Sequence, residues 1–378
     1  MPAIESVLII GASTRAAAFS ASRAGLRPKC LELFADADLA AHCPVVRFDP
    51  DRDGDDLERL ATSLGCEAWF YTGSMECRPD LVERLTRLGR LLGNGPDVLR
   101  RVRDPWQVGA TLQAAGMPTP ALRRASDGPA ESGSWLRKNP AVAGGLGVAW
   151  ADGAQGAAAP MAYLQEFVEG PTFSALFVAA GGDARLLGVA RQFRGALGAE
   201  FLYRGGVGPW PMEIPVMADV RRLGQVLASE FRLVGLFGID FIHKNGRPWA
   251  VEVNPRYTAS VELFEAAMRR AFVADHVRAC VEVELGQGPS LLRPTPAFGK
   301  RVIYASRRLE FPNVGPPPRG DDDRFQVPVI ADLPAPGTVI EAGEPIMTVF
   351  ATAATSEQCI ARLDRRERAW LERLERTT

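Results

Sequence analysis

Apolar runs and amphipathic stretches alternate along the first hundred residues. Ser6-Val7-Leu8-Ile9-Ile10 is a run of buried-strand type that ends in the small-residue turn Gly11-Ala12-Ser13-Thr14-Arg15. A helical pattern follows to about Ala24, Gly25 closes it, and a second strand is expected near Lys29–Leu33. Ala68–Tyr71 reads as a further strand that opens into Thr72-Gly73-Ser74-Met75-Glu76. This alternation predicts an open, Rossmann-like α/β unit over residues 1–96, closed by Leu91-Leu92-Gly93-Asn94-Gly95-Pro96. Gly11 is not part of a G-x-G-x-x-G pattern, so the first turn does not by itself predict a dinucleotide. Glu76 is a candidate substrate contact, because loops at the carboxyl ends of parallel strands are where open α/β sheets bind ligands.

The pattern changes after residue 97. Val98–Ala115 reads as one helix, stopped by Gly116, Pro118 and Pro120. The Gly/Ala/Ser-rich stretches 126–134 and 151–160 read as loops. Strands are expected at 135–138, at Tyr163–Val168 and at 186–193. Gly238-Ile239-Asp240-Phe241 and Val251–Asn254 form a hairpin through the turn at 243–247. Beyond 290, proline-rich breaks at 294–296 and 312–318 precede short strands near 326–330 and 345–350, then a charged helix from about Ser356. The fold class expected is α/β, α+β in its second half, with a small β-rich region over 291–378.

Composition narrows the function classes. The 378 residues carry a net charge of −1, and the pI near 6.4 argues against an electrostatic nucleic-acid binder. Six cysteines are scattered without a C-x-x-C pair, which suits reduced cytosolic thiols better than disulfides or zinc. No apolar run approaches the ~20 residues of a membrane span, and the amino terminus has no signal-peptide pattern, so the expected location is cytoplasmic. Of the 44 basic residues only Lys29, Lys138, Lys244 and Lys300 are lysine, so a lysine within a motif stands out.

The hairpin carries the chemistry. In a strand, Glu252 and Asn254 point to one face, and the turn brings Asp240 alongside Glu252. A carboxylate pair and an amide oxygen inside an apolar hairpin suit one hard cation, with Arg256 beside them to meet phosphate oxygens. The plain alternative is an edge hairpin with its polar side in water. Against it, valine, isoleucine, phenylalanine and Trp249 surround the acids, and buried charges need partners. Lys138, followed within six residues by Ala143-Gly144-Gly145-Leu146-Gly147, offers a cation and free backbone donors for phosphate. Arg191 and Gln192 could reach phosphate or substrate, although both also suit a plain surface. None of the three histidines sits in a triad-like context.

Asp240 followed by Glu252-Val253-Asn254-Pro255-Arg256 resembles the metal-binding end of the ATP-grasp superfamily, and the resemblance runs roughly over residues 5 to 290. It implies ATP and Mg2+ (or Mn2+) as cofactors, with Asp240, Glu252 and Asn254 as metal ligands and Arg256 and Lys138 as catalytic residues. Gly144, Gly145 and Gly147 would form a flap over the phosphates. Gln165, Glu166, Phe167 and Val168 would flank adenine, read by main-chain groups. An ATP-grasp unit over 97–290 would divide into a flap subdomain (97–160) and a metal-binding subdomain (161–290). Two departures stand out. Arg103 occupies the region where many relatives have a nucleotide-contacting linker lysine and would substitute for it as a phosphate contact, and Thr172 stands near the usual ribose-binding acid, with Glu169 as a substitute.

The resemblance further implies a ligase that activates a carboxylate as an acyl phosphate and couples it to an amine, with small-molecule partners, no nucleic acid or membrane, and a possible homodimer. The pattern as a whole is most similar to predicted ATP-dependent carboligases of one-carbon cofactor pathways, of methanopterin and methanofuran type. The alternatives are a nucleotide-binding relative without ligase activity and a biotin carboxylase-like subunit. Ala342–Thr348 is faintly similar to a biotinyl hairpin, but no lysine follows Lys300 to carry the group.

Overall fold

The computed structural model describes residues 4–49, 54–127, 133–151, 161–286, 296–315 and 323–376. The amino-terminal sheet contains β1 (Ser6–Ile10), β2 (Arg27–Glu32), β3 (Val45–Arg47), β4 (Ala68–Tyr71) and β5 (Arg90–Leu91). All are parallel, in the order β3-β2-β1-β4-β5, with α1 (Arg15–Arg23), α2 (Ala37–Ala40), α3 (Gly54–Leu64) and α4 (Pro79–Leu85) between them. The central strands are buried on both faces: Val7, Leu8, Ile9 and Ile10 have no exposed surface, as their uninterrupted apolar run requires.

The helix expected over Val98–Ala115 is two helices, α5 (Pro96–Val102) and α6 (Pro105–Ala114). The Asp104 carboxylate accepts from the Trp106 and Gln107 amides, and Pro105 lacks the N–H an unbroken helix would use. This break turns Arg103 inward. A four-stranded sheet follows, made of β6 (Leu122–Arg124), β7 (Trp135–Lys138), β8 (Val148–Trp150) and β9 (Tyr163–Glu166), in the order β6-β9-β7-β8. Of the expected loops at 126–134 and 151–160, residues 128–132 and 152–160 lie outside the described residues.

Facing it, an eight-stranded sheet begins with β10 (Thr172–Ala180), β11 (Asp183–Ala196) and β12 (Ala199–Gly208). The chain then crosses through α7 (Ile214–Phe231) to the hairpin β13 (Gly235–Lys244) and β14 (Arg247–Asn254), followed by α8 (Val261–Met268) and α9 (Phe272–Val281). The carboxyl-terminal residues do not form a layer of their own. Among β15 (Ala297–Tyr304), β16 (Leu309–Glu310), β17 (Ile330–Ala331), β18 (Val339–Ile340) and β19 (Pro345–Ala353), only β16 and β18 pair apart. The others extend the large sheet, whose order is β14-β13-β10-β11-β12-β15-β19-β17, and α10 (Ser356–Arg376) packs on β19 and β15. The expected strand near 326–330 shrinks to Ile330–Ala331.

Helix α7 covers β10 and β13 around Phe177 and Phe237, whose rings stack 5.0 Å apart. Gly224 permits this approach: a methyl there would stand 2.2 Å from the Phe177 ring. Full burial of each phenylalanine contributes about 1.5–3 kcal/mol.

Two sets of contacts fasten the amino-terminal unit to the large sheet. Asn94 accepts from the Val234 amide (2.9 Å) and donates to the Val234 and Pro255 carbonyls (3.2 and 3.0 Å), so it grips the end of β14 directly. Arg15 reaches Glu262 (2.8 Å) and Asp332 (2.6 Å), Lys300 reaches Glu262 (2.6 Å), and Arg23 and Ser20 both bond Glu265. Asp38 serves this architecture too, accepting from the Asp332 and Leu333 amides.

His276 belongs to the same seam. Its Nδ1 accepts from the Leu236 amide (2.8 Å), leaving Nε2 to donate to the Leu92 carbonyl (3.0 Å). Burial pushes this imidazole down to about 4, against a hydrogen bond to Leu92 that favours charge. Between that value and the ordinary ~6.5 the unfolded chain binds more protons, so stability is complete above pH 6.5 and declines towards pH 4. Urea unfolding from pH 7 to pH 4.5 should show His276→Asn losing this slope, which is worth on the order of 3 kcal/mol across the window.

Candidate active site

The β13–β14 hairpin places two carboxylates side by side. Register pairs Asp240 with Glu252 and Gly238 with Asn254, with an irregularity just after Asp240. Asp240, Glu252, Asn254 and Arg256 then line one cleft between the two antiparallel sheets, with about 1270 Å³ of space, part of it open to solvent. The same cleft receives Lys138, Gly144, Gly145, Gln165, Glu166, Phe167 and Val168, so residues spread over 119 positions, from 138 to 256, converge there. Thr172 also lines it, whereas Glu169 is exposed and does not.

Two expected residues lie elsewhere. Gly147 shapes the flap turn: its carbonyl accepts from the Asn139 amide (2.8 Å), and an added methyl would meet the Asn139 carbonyl at 2.8 Å. Arg103 lines a narrower cleft behind Lys138, walled by Val108, Leu112, Leu122 and Tyr163. Its Nη1 donates to Glu252 Oε1 at 2.6 Å and its Nη2 to the Pro140 carbonyl at 3.1 Å. In this arrangement Arg103 is an internal counter-ion of Glu252.

The flap is docked. The Gly144 carbonyl accepts from the Tyr203 amide (3.0 Å), and Trp150 Nε1 donates to Glu200 (2.7 Å) while its ring meets Phe167 and Phe201. Gly145 has φ +82°, and a methyl on it would stand 2.0 Å from the Phe201 carbonyl oxygen, so only glycine permits this approach. On the neighbouring strand β9 of the same sheet the Glu166 amide is committed to the Ala121 carbonyl, and just beyond it the Phe167 amide donates to the Ser134 carbonyl. Among the described residues no backbone acceptor meets the Val168 N–H.

Electrostatics divide the carboxylates. Burial, reinforced by Glu252, pushes Asp240 up to about 7, against hydrogen bonds from Ser174 and Gln192 and the charge of Arg256. Burial works against Glu252 as well, but Arg103 and Lys138 outweigh it and hold this acid below the usual carboxylate range. Burial lowers the Lys138 ammonium, with Glu252 acting the other way, and its Nζ donates to the Val251 carbonyl at 3.2 Å. Gln192 donates to Asp240 Oδ1 (2.9 Å) and the Asn254 amide to Oδ2 (3.3 Å).

Among the described residues no three His, Cys, Asp or Glu side chains could hold a metal by themselves. The oxygen donors Asp240, Glu252 and the Asn254 amide nevertheless fit Mg2+, which is usually held by one or two carboxylates together with substrate phosphates. A pair of buried acids, one of them destabilised as an anion, is the environment a cation would relieve.

Sequence reasoning passed over Ser174, Tyr203, Thr258 and Ser260, all of which line the cleft, and weighed Gln192 evenly with Arg191. The structure separates that pair: Arg191 lies over the Trp210 ring, 5.2 Å from its centroid, while Gln192 faces Asp240. A serine inside the apolar strand 173–180 was the available signal for Ser174, which stands opposite Asp240 in register.

Residues 102–260 match the ATP-grasp domain. An uncharacterized protein of Methanocaldococcus jannaschii is 29% identical over 189 residues, a match spanning 50% of this chain and 41% of the relative. The L-amino acid ligase of Bacillus licheniformis has the same fold, with a TM-score of 0.69 and 15% identity over 96% of this chain and 97% of that one. So does the biotin carboxylase domain of the Hydrogenobacter thermophilus 2-oxoglutarate carboxylase, solved as a dimer with MgADP, ADP and bicarbonate, with a TM-score of 0.70 and 14% identity over 96% and 89% of the two chains. The mixed α/β architecture is thus the ATP-grasp fold.

The Arg103–Glu252 pair generates a direct test. Arg103→Gln should tighten binding of Mn2+ alone about tenfold, a fraction of the ~4 kcal/mol that two charges 4 Å apart exchange at an effective dielectric of 20. Electron paramagnetic resonance titration measures it; unchanged or weaker binding would show that Glu252 does not hold the cation.

Proposed function

We propose that this protein is an ATP- and magnesium-dependent ligase that activates a carboxylate as an acyl phosphate and couples it to an amine. The observation that carries the reading is the convergence of the Asp240/Glu252/Asn254 oxygens, Lys138 and a glycine flap on one cleft between two antiparallel sheets. The match of residues 102–260 to an ATP-grasp domain supports it, as does the shared fold with an L-amino acid ligase.

Asp240, Glu252 and Asn254 would hold Mg2+, which supplies charge neutralisation across the nucleotide phosphates. The Val168 N–H and a neighbouring carbonyl read the adenine edge, with Leu136, Phe167 and Ile242 enclosing the base. Lys138 and the flap amides hold the phosphates, and Arg256 directs the terminal phosphoryl group towards the substrate carboxylate. The carboxylate oxygen takes up that phosphoryl group as its bond to ADP breaks, and the amine nitrogen then attacks the acyl carbon, forming the amide as phosphate leaves with the nitrogen's proton. Positioning and electrostatics carry these steps, so no dedicated general base is needed.

The finer reading is small-cofactor biosynthesis of the one-carbon type, resting on the similarity of the whole sequence pattern to carboligases of those pathways. Cytoplasmic action on small-molecule substrates belongs to the same reading, supported by six free cysteines and by the absence, among the described residues, of a helix long and apolar enough to cross a membrane. A homodimer is in keeping with the dimeric carboxylase domain. That neighbour also favours a second reading, a biotin carboxylase-like activity, which bicarbonate-dependent ADP release with free biotin would reveal.

ADP release with Mg-ATP and a panel of carboxylate–amine pairs is the test. Turnover that requires both partners is expected. Glu252→Ala should lower it at least a hundredfold, about 3 kcal/mol of lost electrostatic stabilisation, with the fold retained by circular dichroism. Unchanged turnover in that variant would remove Glu252 from the chemistry.

A further inference from the structure

Arg256 is held from outside its own domain. Glu76, on the loop after β4 in the amino-terminal unit, has no exposed side-chain surface, and its Oε1 accepts from Arg256 Nε at 2.7 Å. The two residues are 180 positions apart in the chain. Their loops are pressed together: a methyl built on Gly73 would stand 3.6 Å from the guanidinium carbon. The other oxygen of Glu76 is buried and has no hydrogen-bond partner among the described residues. A fully buried carboxylate with a free lone pair is a costly arrangement, and its one engaged partner is a cleft residue.

The geometry shows what that pairing does. A guanidinium has five N–H donors on a rigid plane. Glu76 takes the Nε edge of Arg256, while Nη1 donates to the Tyr257 carbonyl (3.0 Å) and Nη2 to Asn254 Oδ1 (3.2 Å). The two N–H groups left over are both on the terminal nitrogens, and Arg256 lines the nucleotide cleft. Without an anion on the Nε edge, the guanidinium is free to turn that edge inward and lose its alignment with the Asn254 amide. Asn94 braces the same corner by donating to the Pro255 carbonyl.

We infer that Glu76 is a positioning residue: by occupying the Nε edge it aims the terminal nitrogens of Arg256 at the terminal phosphoryl group. The amino-terminal unit thereby completes the ATP site rather than only shaping a substrate pocket. This deepens the reading given under Proposed function and rests on its assignment of Arg256 to phosphate.

The test measures affinity for a magnesium complex of a non-hydrolysable ATP analogue and for MgADP, in the full chain, by isothermal titration calorimetry. Arg256→Met should cut the preference for the triphosphate at least tenfold. Glu76→Gln, which keeps the shape and removes the charge, should cut it by a similar factor while leaving MgADP affinity within twofold of wild type. The double variant should be no worse than either single change, because both act through one contact. Glu76→Asp should restore part of the preference, and it serves as the readout if Glu76→Gln does not fold. A merely structural role would lower the melting temperature without touching the triphosphate preference. A normal preference in Glu76→Gln beside a lost one in Arg256→Met, or effects that multiply in the double variant, overturns the inference alone. A normal preference in Arg256→Met overturns the phosphate assignment along with it.

Discussion

Two acids buried opposite one another on neighbouring strands are the constraint on which the rest of the structure depends. Asp240 and Glu252 face each other in the β13–β14 register, enclosed between two sheets, and like charges in such a place cannot both remain ionised without cations. The chain supplies cations from three directions. Arg103 arrives from the interhelical break, Lys138 from the flap strand, and Arg256 from two residues beyond Asn254. Each is fixed by elements distant in sequence, so the fold serves in large part to deliver positive charge to one hairpin. Arg103 and Lys138 thereby favour the ionised form of Glu252, while Asp240 is left short of compensation.

The same constraint ties the amino-terminal unit to the hairpin. Its parallel sheet meets the hairpin through Asn94, Glu76 and His276, and its first helix grips α8 through Arg15, Ser20 and Arg23. Helix α8 begins one residue beyond Ser260, at the cleft wall. A displacement of the amino-terminal unit therefore moves both Arg256 and the wall beyond it. Buried ion pairs of this kind are weak sources of net stability but strong determinants of geometry once formed, because breaking one partner strands the other.

Much of this was legible in the sequence where the signal was local. A single acid in an apolar strand, followed by an acid and an amide at two-residue spacing, sufficed to bring Asp240, Glu252 and Asn254 to one face. A rare lysine ahead of a glycine run marked a loop that the structure places at the cleft. Signals that depend on long-range register were not readable: Ser174 is an ordinary strand serine until β10 pairs with β13, and Tyr203 an ordinary strand tyrosine until Gly144 docks on it. The Asp104-Pro105 pair was readable as a cap and was passed over for the stronger helical pattern around it, which hid the inward turn of Arg103. Glu76 was suspected as a substrate contact, but its partner lies 180 residues away. The carboxyl-terminal strands looked separate because proline-rich breaks precede them, although strand pairing depends on exposed sheet edges and not on proximity in the chain.

The central claim is that the opposed carboxylates bind a divalent cation shared with nucleotide phosphates. A crystal structure of the protein with Mn2+ and ADP, read from the anomalous signal of manganese, tests it most directly. A manganese peak is expected on the oxygens of Asp240, Glu252 or Asn254, with the diphosphate beside Lys138 and the adenine edge at the Val168 N–H. Nucleotide bound in this cleft with no metal on these oxygens, or nucleotide bound elsewhere, would contradict it.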